Sequence, residues 1–512
     1  MADVNLVSHQ DTASQDDTRE QATKKPNADR IYDIAAQVYE FRKDSATGDL
    51  FAIDRETRIA SPLSTRGDFR KRISRLAKVE TGHVPNGQSM GEAIEVMQGE
   101  ALDESETLDI HLRVAETPGG VWLDMCDETN RLIHIRNGAW EVADRTAFGV
   151  PVFRRSPSMR ALIEPTQTTN PVADIAPLWN VVNIPGPYKT MLVGFLIHCI
   201  IHEKSAYPML TIIAEQGSGK TSAMKILQEL IDPSGDRGGA LPVNEEAFAL
   251  SALNSWLLRY DNLSTIPPSK RELLCRAATG GTVRKRQLYT DSDEKLYSFR
   301  RPIILTAINL GTASPDLTER MVRVQLSRIS ASQRITDQQV SDMWKASRSR
   351  VYGAVLTLAA QVQQKISAGA FDSMDKPRMA DYGMVLAALD QIMQTSSVAQ
   401  YRAQQIEMAV ETVADEPTYL ALDLCSDQFQ PQAWEGTSRA LLLKLSGLFN
   451  SSSLQTWKKP PQSAPDLTRS IDICAPSLRR QGWLIESRKG THEQSGTRIW
   501  TIQAPGPTDE NK

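Results

Sequence analysis

Nine consecutive residues, Ala214, Glu215, Gln216, Gly217, Ser218, Gly219, Lys220, Thr221 and Ser222, carry the densest chemistry in the chain. They fit the phosphate-binding pattern G-x-x-x-x-G-K-[ST], with Ala214 where the first glycine usually stands. Glycines let a backbone close around an anion with no Cβ in the way. Successive N–H groups then wrap the phosphates, and the following helix aims its positive end at them. In that role Lys220 reaches the β- and γ-phosphates and the Thr221 hydroxyl ligates Mg²⁺. The expected cofactors are ATP and Mg²⁺.

Downstream spacing suggests how such a loop would be used. Trp256 to Asn262 reads as a short apolar strand ending in Asp261, whose carboxylate would complete the Mg²⁺ shell beside Thr221. Asn262 follows, where many ATPases of this class carry a glutamate. An amide orients a water but cannot accept its proton, so Glu215 is the alternative base; its plainer reading is an exposed loop carboxylate. Arg301 to Asn309 is a second buried strand, and Asn309 stands where ring ATPases hold a water near the γ-phosphate. Arg320 is placed as a finger that reaches a neighbouring subunit's nucleotide, with Arg323 second.

Basic residues mark two candidate nucleic-acid contacts. Arg284, Lys285 and Arg286 lie on the first of two strands joined by a turn around Asp291 to Glu294, and Lys295 lies near that turn. They offer a sequence-independent, salt-sensitive grip on phosphates, or else a contact to a neighbouring subunit. Arg469, Arg479, Arg480, Arg488 and Lys489 form the second group, near the C-terminus.

The phosphate loop needs a strand before it (Leu210 to Ile213) and a helix after it (Thr221 to Leu230). The fold expected is α/β: a P-loop NTPase core, AAA+-like, over 166–330, preceded by an N-terminal α+β domain over 30–165. Within that domain the pattern predicts a hairpin from Tyr39–Lys43 and Leu50–Asp54, then helices at Arg66–Val79 and Met90–Met97. Strands are predicted at Leu108–Val114, Gly120–Met125, Arg131–Ile135 and Val150–Arg154. The first helix carries Arg66, Arg70, Lys71, Arg72, Arg75 and Lys78; a solvated face is its plainer reading. His111 and His134 read as structural. Residues 1–29, with almost no large apolar side chains, read as a disordered tail.

Helical periodicity over 331–415 (Val340–Val362, Met379–Met393, Val398–Val413) predicts a helical lid, with Arg378 just before its second helix. Residues 420–505 give a helix from Gly436, a second from Leu467 to Arg480 bent or interrupted by Pro476, and two strands, Trp483–Arg488 and Thr497–Ile502. That is the order of a winged helix for duplex DNA.

The chain has 512 residues and a net charge of −4, so any nucleic-acid contact must come from local patches. Its five cysteines form no C-x-x-C pair, which argues against a zinc site and fits a reducing cytoplasm. The longest apolar run, Met191 to Ile201, is about half the length of a membrane span and reads as a buried helix. No signal pattern opens the sequence. A cytoplasmic protein with no membrane contact is expected.

The segments Gln216–Thr221, Ser255–Ser264, Leu288–Asp291, Arg301–Leu305 and Asp316–Arg320 resemble a family of ATP-binding proteins of bacteriophages and integrated elements. These are similar in layout to superfamily-three helicases of the AAA+ class and to the helicase half of viral primase-helicases. The resemblance covers roughly 110–505 and is most specific over 210–325. It implies a DNA-dependent ATPase in mobile-element replication, assembled as a homo-oligomeric ring with a hexamer favoured, and with other replication proteins as partners. Asn262 departs from the usual acidic pair, and the first 165 residues carry no primase signature. Two rivals remain: a nucleotide-regulated DNA-binding scaffold without motor activity, and an ATPase of defence or signalling that acts on protein.

Overall fold

The computed structural model describes residues 27–236, 238–286, 294–308, 314–449, 458–490 and 498–506. Most of the expected tail, Asn309, and most of the turn around Asp291 therefore lie outside the described residues. The chain is mixed α/β and divides into two units: residues up to Ile110 with 150–154, and 111–149 with everything from Arg155 onward.

In the first unit, α1 (Asn27–Val38) is followed by the predicted hairpin, β1 (Tyr39–Lys43) and β2 (Leu50–Asp54), paired from Tyr39–Asp54 to Lys43–Leu50. Residues 27–29, expected in the tail, are helical. Then come β3 (Ile59–Pro62), α2 (Asp68–Thr81), α3 (Gly87–Asp103), β4 (Ile110–His111) and, after an excursion, β9 (Val152–Arg154). The sheet order is β1-β2-β3-β9-β4. Ile31, Phe41, Phe69, Ile73, Met90 and Ile94 fill one core. Helix α2 docks through Phe69, Ile73 and Ala77 and leaves Lys71, Arg72, Arg75 and Lys78 toward solvent.

The second unit starts with an antiparallel meander, β5 (Val114–Thr117), β6 (Gly120–Asp124), β7 (Leu132–Arg136) and β8 (Ala139–Ala143). A short α4 (Pro171–Asp174) and α5 (Lys189–Ile201) precede β10 (Met209–Ile213) and α6 (Lys220–Ile231). Next come α7 (Glu245–Asn254), β11 (Leu258–Leu263), α8 (Pro268–Thr279), β12 (Gly281–Arg286), β13 (Glu294–Phe299) and β14 (Ile303–Ala307), then the turn α9 (Pro315–Thr318) and β15 (Met321–Gln325). Strands β11-β14-β10-β15 form one parallel sheet in that order. Parallel sheets need both faces covered, and the apolar runs of β10 and β14 meet that need. Helix α5 is apolar all round and buried from Thr190 to Ile201, as the sequence predicts.

The division between the units falls after Ile110, with 150–154 returning to the first unit, rather than at 165. Val114, Val121, Leu123, Ile133, Ile135 and Trp140 of the meander belong to the same apolar cluster as α5, β10 and α6. Burial against those elements, rather than proximity in sequence, assigns the meander to the second unit. Buried Arg113 reinforces this by donating to Asp232 at the end of α6 (2.9 Å) and to the Asp124 carbonyl (2.8 Å).

The segment expected as a lid supplies α10 (Asp337–Ser367), α11 (Ala380–Met393) and α12 (Ser397–Val413). Thr336 and Gln339 form a capping box that starts α10. Helices α10 and α11 contribute Val351, Leu356, Tyr382 and Leu386 to the same central cluster. At Gly353 a Cβ would stand 1.7 Å from the Thr166 carbonyl oxygen, so only glycine admits the chain that crosses α10 there. Thr166 N–H also donates to the Ser349 carbonyl, 3.0 Å away.

Residues after α12 form α13 (Pro417–Leu424), β16 (Trp434–Thr437), α14 (Ser438–Phe449), α15 (Ala464–Arg480), β17 (Leu484–Lys489) and β18 (Arg498–Gln503). The sheet order is β16-β18-β17 around a separate cluster of Leu441, Leu467, Ile471, Trp500 and Ile502. Pro476 lies inside a continuous α15 rather than interrupting it. No helix among the described residues is long and apolar enough to cross a membrane.

Candidate functional site

Between β10 and α6 the loop 214–219 turns on two left-handed glycines, Gly217 (φ 77°) and Gly219 (φ 82°). The Ser218 hydroxyl donates to the Glu215 carbonyl (2.8 Å), and Lys220 Nζ donates to the Ala214 carbonyl (2.9 Å), so the loop curls upon itself. Ser218 is fully buried, whereas Glu215 and Gln216 are exposed and Ser222 lies one residue into the first turn of α6 beyond Thr221. Asn183 Nδ2 ties the loop from behind, donating to the carbonyls of Ser218 (3.3 Å) and Ser327 (2.7 Å).

The parallel sheet carries Asp261 to this loop. Thr221 Oγ1 donates to Asp261 Oδ2 at 3.2 Å, and the Thr306 hydroxyl donates to Asp261 Oδ1. Asp261 does not end its strand as the sequence suggests. It sits in an irregularity of the β11–β14 pairing between Tyr260 and Leu263, beside Asn262 at φ 56°. Asparagine tolerates the left-handed region better than most residues. The freed Asn262 N–H donates to Thr306 Oγ1 at 2.8 Å rather than into the ladder. Sequence reasoning misses Thr306, which is fully buried; its only signal is a lone hydroxyl in the apolar run Ile303 to Ala307. Asn309 lies outside the described residues.

Arg320 does not project outward. Its side chain is 12% exposed, donates to the Asp316 carbonyl at 2.6 Å and pairs with the Asp316 carboxylate, the acid one helical turn earlier. Burial alone would raise the Asp316 carboxyl, but hydrogen bonds from Arg320 and Cys275 and the charges of Arg320 and Arg378 hold it below the usual range. The Cys275 thiol is pushed up to about 12, by burial first and then by Asp316. Arg323 pairs with Glu407 (3.1 Å) and Glu411 on α12. Arg378 pairs with Glu319 at 3.5 Å.

Of the basic strand residues, Lys285 is registered opposite Lys295, Arg284 opposite Leu296 and Arg286 opposite Glu294; their side chains lie outside the described set. The C-terminal basic residues separate into two kinds. Arg479 is exposed and its Nε donates to the Ile485 carbonyl (2.8 Å), whereas Arg480 is half-buried and pairs with Glu319. Arg469 (2.7 Å from Asp466), Arg488 (3.4 Å from Glu435) and Lys489 are exposed.

Two family models match successive parts of the chain. Residues 176–410 match the actinomycete integrative conjugative element replication protein, and 422–510 match the AICE RepA C-terminal domain. The chain is similar to a mobile-element replication protein. The first match spans the parallel sheet and its loop, and the second spans the β16-β18-β17 module. Among solved structures, the apo C-terminal region of NrS-1 is 10% identical, covering 94% of this chain and 100% of its own, at a TM-score of 0.38. The SCCmec type IV Cch active helicase is 12% identical, with 91% and 92% covered and a TM-score of 0.41. The JCV helicase, in a ligand-bound structure, is 14% identical over 47% of this chain and 65% of its own, at a TM-score of 0.25. Comparison with curated proteins gives no match.

Proposed function

We propose that the chain is a P-loop ATPase of AAA+-like layout that acts on DNA during replication of a mobile element. One observation carries the reading: the Thr221 hydroxyl and the Asp261 carboxylate converge at the mouth of a loop built on two left-handed glycines. The β11-β14-β10-β15 order places that mouth at the carboxyl ends of parallel strands, where open α/β sheets take their ligands.

The residues fit ATP with Mg²⁺. Among the described residues no three His, Cys, Asp or Glu side chains cluster to hold a metal alone. Mg²⁺ commonly takes one or two protein oxygens and completes its shell with phosphates and water, and Thr221 with Asp261 supplies that minimum. The bound ion would neutralise charge on the transferring phosphoryl group. Lys220 then leaves the Ala214 carbonyl for the phosphates, the loop N–H groups from Gly217 to Thr221 hold the inner oxygens, and the Asn262 side chain orients a water. Asn262 accepts no proton, so exposed Glu215 is the candidate acceptor.

Residues 420–505 serve as a winged helix, with α15 presented to duplex DNA and Arg469, Arg488 and Lys489 contacting phosphates. The β12–β13 ribbon, with Arg284, Lys285, Arg286 and Lys295, is the second DNA contact. A homo-oligomeric ring, a hexamer by preference, in the cytoplasm and in company with other replication proteins, completes the reading.

A second reading is favoured by Asn262 and by the inward-turned Arg320: a nucleotide-regulated DNA-binding scaffold in which ATP drives assembly without turnover. ATP binding and hydrolysis with and without DNA, in wild type and Lys220→Ala, separate the two. Lys220→Ala is expected to weaken ATP binding roughly 10- to 100-fold, the effect of removing one charge-assisted hydrogen bond. Unchanged binding in that variant sinks the site. Tight binding with background turnover, unmoved by DNA, selects the scaffold.

A further inference from the structure

We propose that Arg334 is a ligand of the nucleotide phosphates, supplied by the same chain that supplies the phosphate loop. The inference rests on the nucleotide-site reading above and adds to it a cationic group that the motif does not contain. A Cβ placed on Gly217 would stand 3.2 Å from Arg334 Nη2 and 3.8 Å from its Cζ, so the guanidinium lies against the loop itself. A Cβ on Gly219 would stand 3.5 Å from Ile329 Cδ1. Residues 326–336 therefore run as a strap across the loop. At one end Leu326 N–H donates to the Ile213 carbonyl (2.9 Å) and Asn183 holds the Ser327 carbonyl. At the other, the Thr336 capping box starts α10.

Charge decides what the guanidinium is for. The other arginines considered for this site are committed: Arg320 to Asp316, Arg323 to Glu407 and Glu411, Arg378 to Glu319. Asp261 is bound by Thr221 and Thr306. Arg334 is exposed and has no acidic partner among the described residues. It sits beside a concavity of backbone N–H dipoles and the Lys220 ammonium, a cluster of positive groups; the loop's own carboxylate, Glu215, is exposed and is not paired with it. Such a grouping is unfavourable until an anion enters between its members. A di- or triphosphate is the anion that fits, because a guanidinium fork binds phosphate oxygens in pairs. Arg334 supplies in cis the cation that Arg320, turned inward, was expected to supply in trans.

The test uses the full-length protein. Equilibrium dissociation constants for ATP and ADP are measured across a salt series for wild type, Arg334→Ala and Arg334→Lys, with the fold of each variant checked by circular dichroism and melting. Arg334→Ala is expected to weaken binding roughly 10- to 100-fold, as for one charged hydrogen bond removed, and to flatten its salt dependence. Arg334→Lys is expected to recover part of the affinity and the steeper salt dependence. Binding in Arg334→Ala that matches wild type at every salt overturns the proposal. So does a loss shared by both variants with no change in salt dependence, which marks a packing role. A wild-type chain that binds no ATP is a different result: it removes the nucleotide site itself.

Discussion

Thr306 shows how much of a site rests on a residue with no motif of its own. Its hydroxyl fixes one oxygen of Asp261 and accepts from Asn262 N–H, so a single side chain sets both the carboxylate and the left-handed backbone beside it. Thr306→Val keeps the shape and removes both bonds. We expect the Mg²⁺ concentration for half-maximal ATP binding to rise about 10-fold, the effect of one charge-assisted bond. Thr306→Ser should restore it, and metal-free nucleotide binding should stay put; a Mg²⁺ titration followed by a fluorescent nucleotide reads all three. The residues of the phosphate loop were legible because polyphosphate chemistry demands particular residue types at fixed spacing. Thr306 was not, because it meets Asp261 from 45 positions away through strand pairing. Arg320 was legible as an arginine but not in direction, since its partner Asp316 one turn earlier competes for it.

At the scale of elements, the β5–β8 meander is held by a buried ionic knot rather than by its short strands alone. Asp124 is fully buried and receives Arg145 (2.6 Å) and Arg155 (2.7 and 2.8 Å). Burial pushes its carboxyl up, but the hydrogen bond from Arg155 and the charges of Arg145, Arg155 and Arg113 outweigh it, and the net direction is down. A carboxyl lowered on folding stabilises above its unfolded value, about 3.9, and that stability fades as pH falls through the lower folded value. Asp124→Asn leaves the guanidinium groups buried without their counter-charge. It should cost about 3–5 kcal/mol at neutral pH. Denaturant melts at pH 7 and across the acid range measure both the destabilisation and the reduced acid sensitivity of the variant. Strands β6 and β7 were legible through their alternation. β8 was not, because a two-residue turn at Asn137 and Gly138 hides its start, and the predicted strand 108–114 breaks in two at Leu112 and Arg113. The division near Ile110 was hidden for a physical reason as well: the polar stretch Asp103 to Asp109 before it reads like any surface turn, and burial against α5 and α10 is what assigns the meander.

For the molecule as a whole, Glu319 joins segments far apart in sequence. It pairs with Arg378 before α11 and with Arg480 at the end of α15, next to the Asp316–Arg320 pair. The C-terminal basic residues should therefore fall into two classes in DNA-binding titrations. Alanine at Arg469, Arg488 or Lys489 is expected to weaken binding and lower its salt slope by about one for each phosphate no longer neutralised. Alanine at Arg480 should instead lower the melting temperature and leave that slope in place. A lowered slope in Arg480→Ala would give this residue a phosphate contact instead. The crossing at Gly353 has a further consequence, for the order in which the chain is made. Thr166 leaves the ribosome roughly 190 residues before the notch that receives it, on the order of ten to forty seconds at ordinary elongation rates. Through that interval the meander has been synthesised but α10, which buries its apolar face, has not. A nascent chain stalled or truncated before 337 presents that face to solvent, so the helices after the parallel sheet decide whether the segments before it escape aggregation.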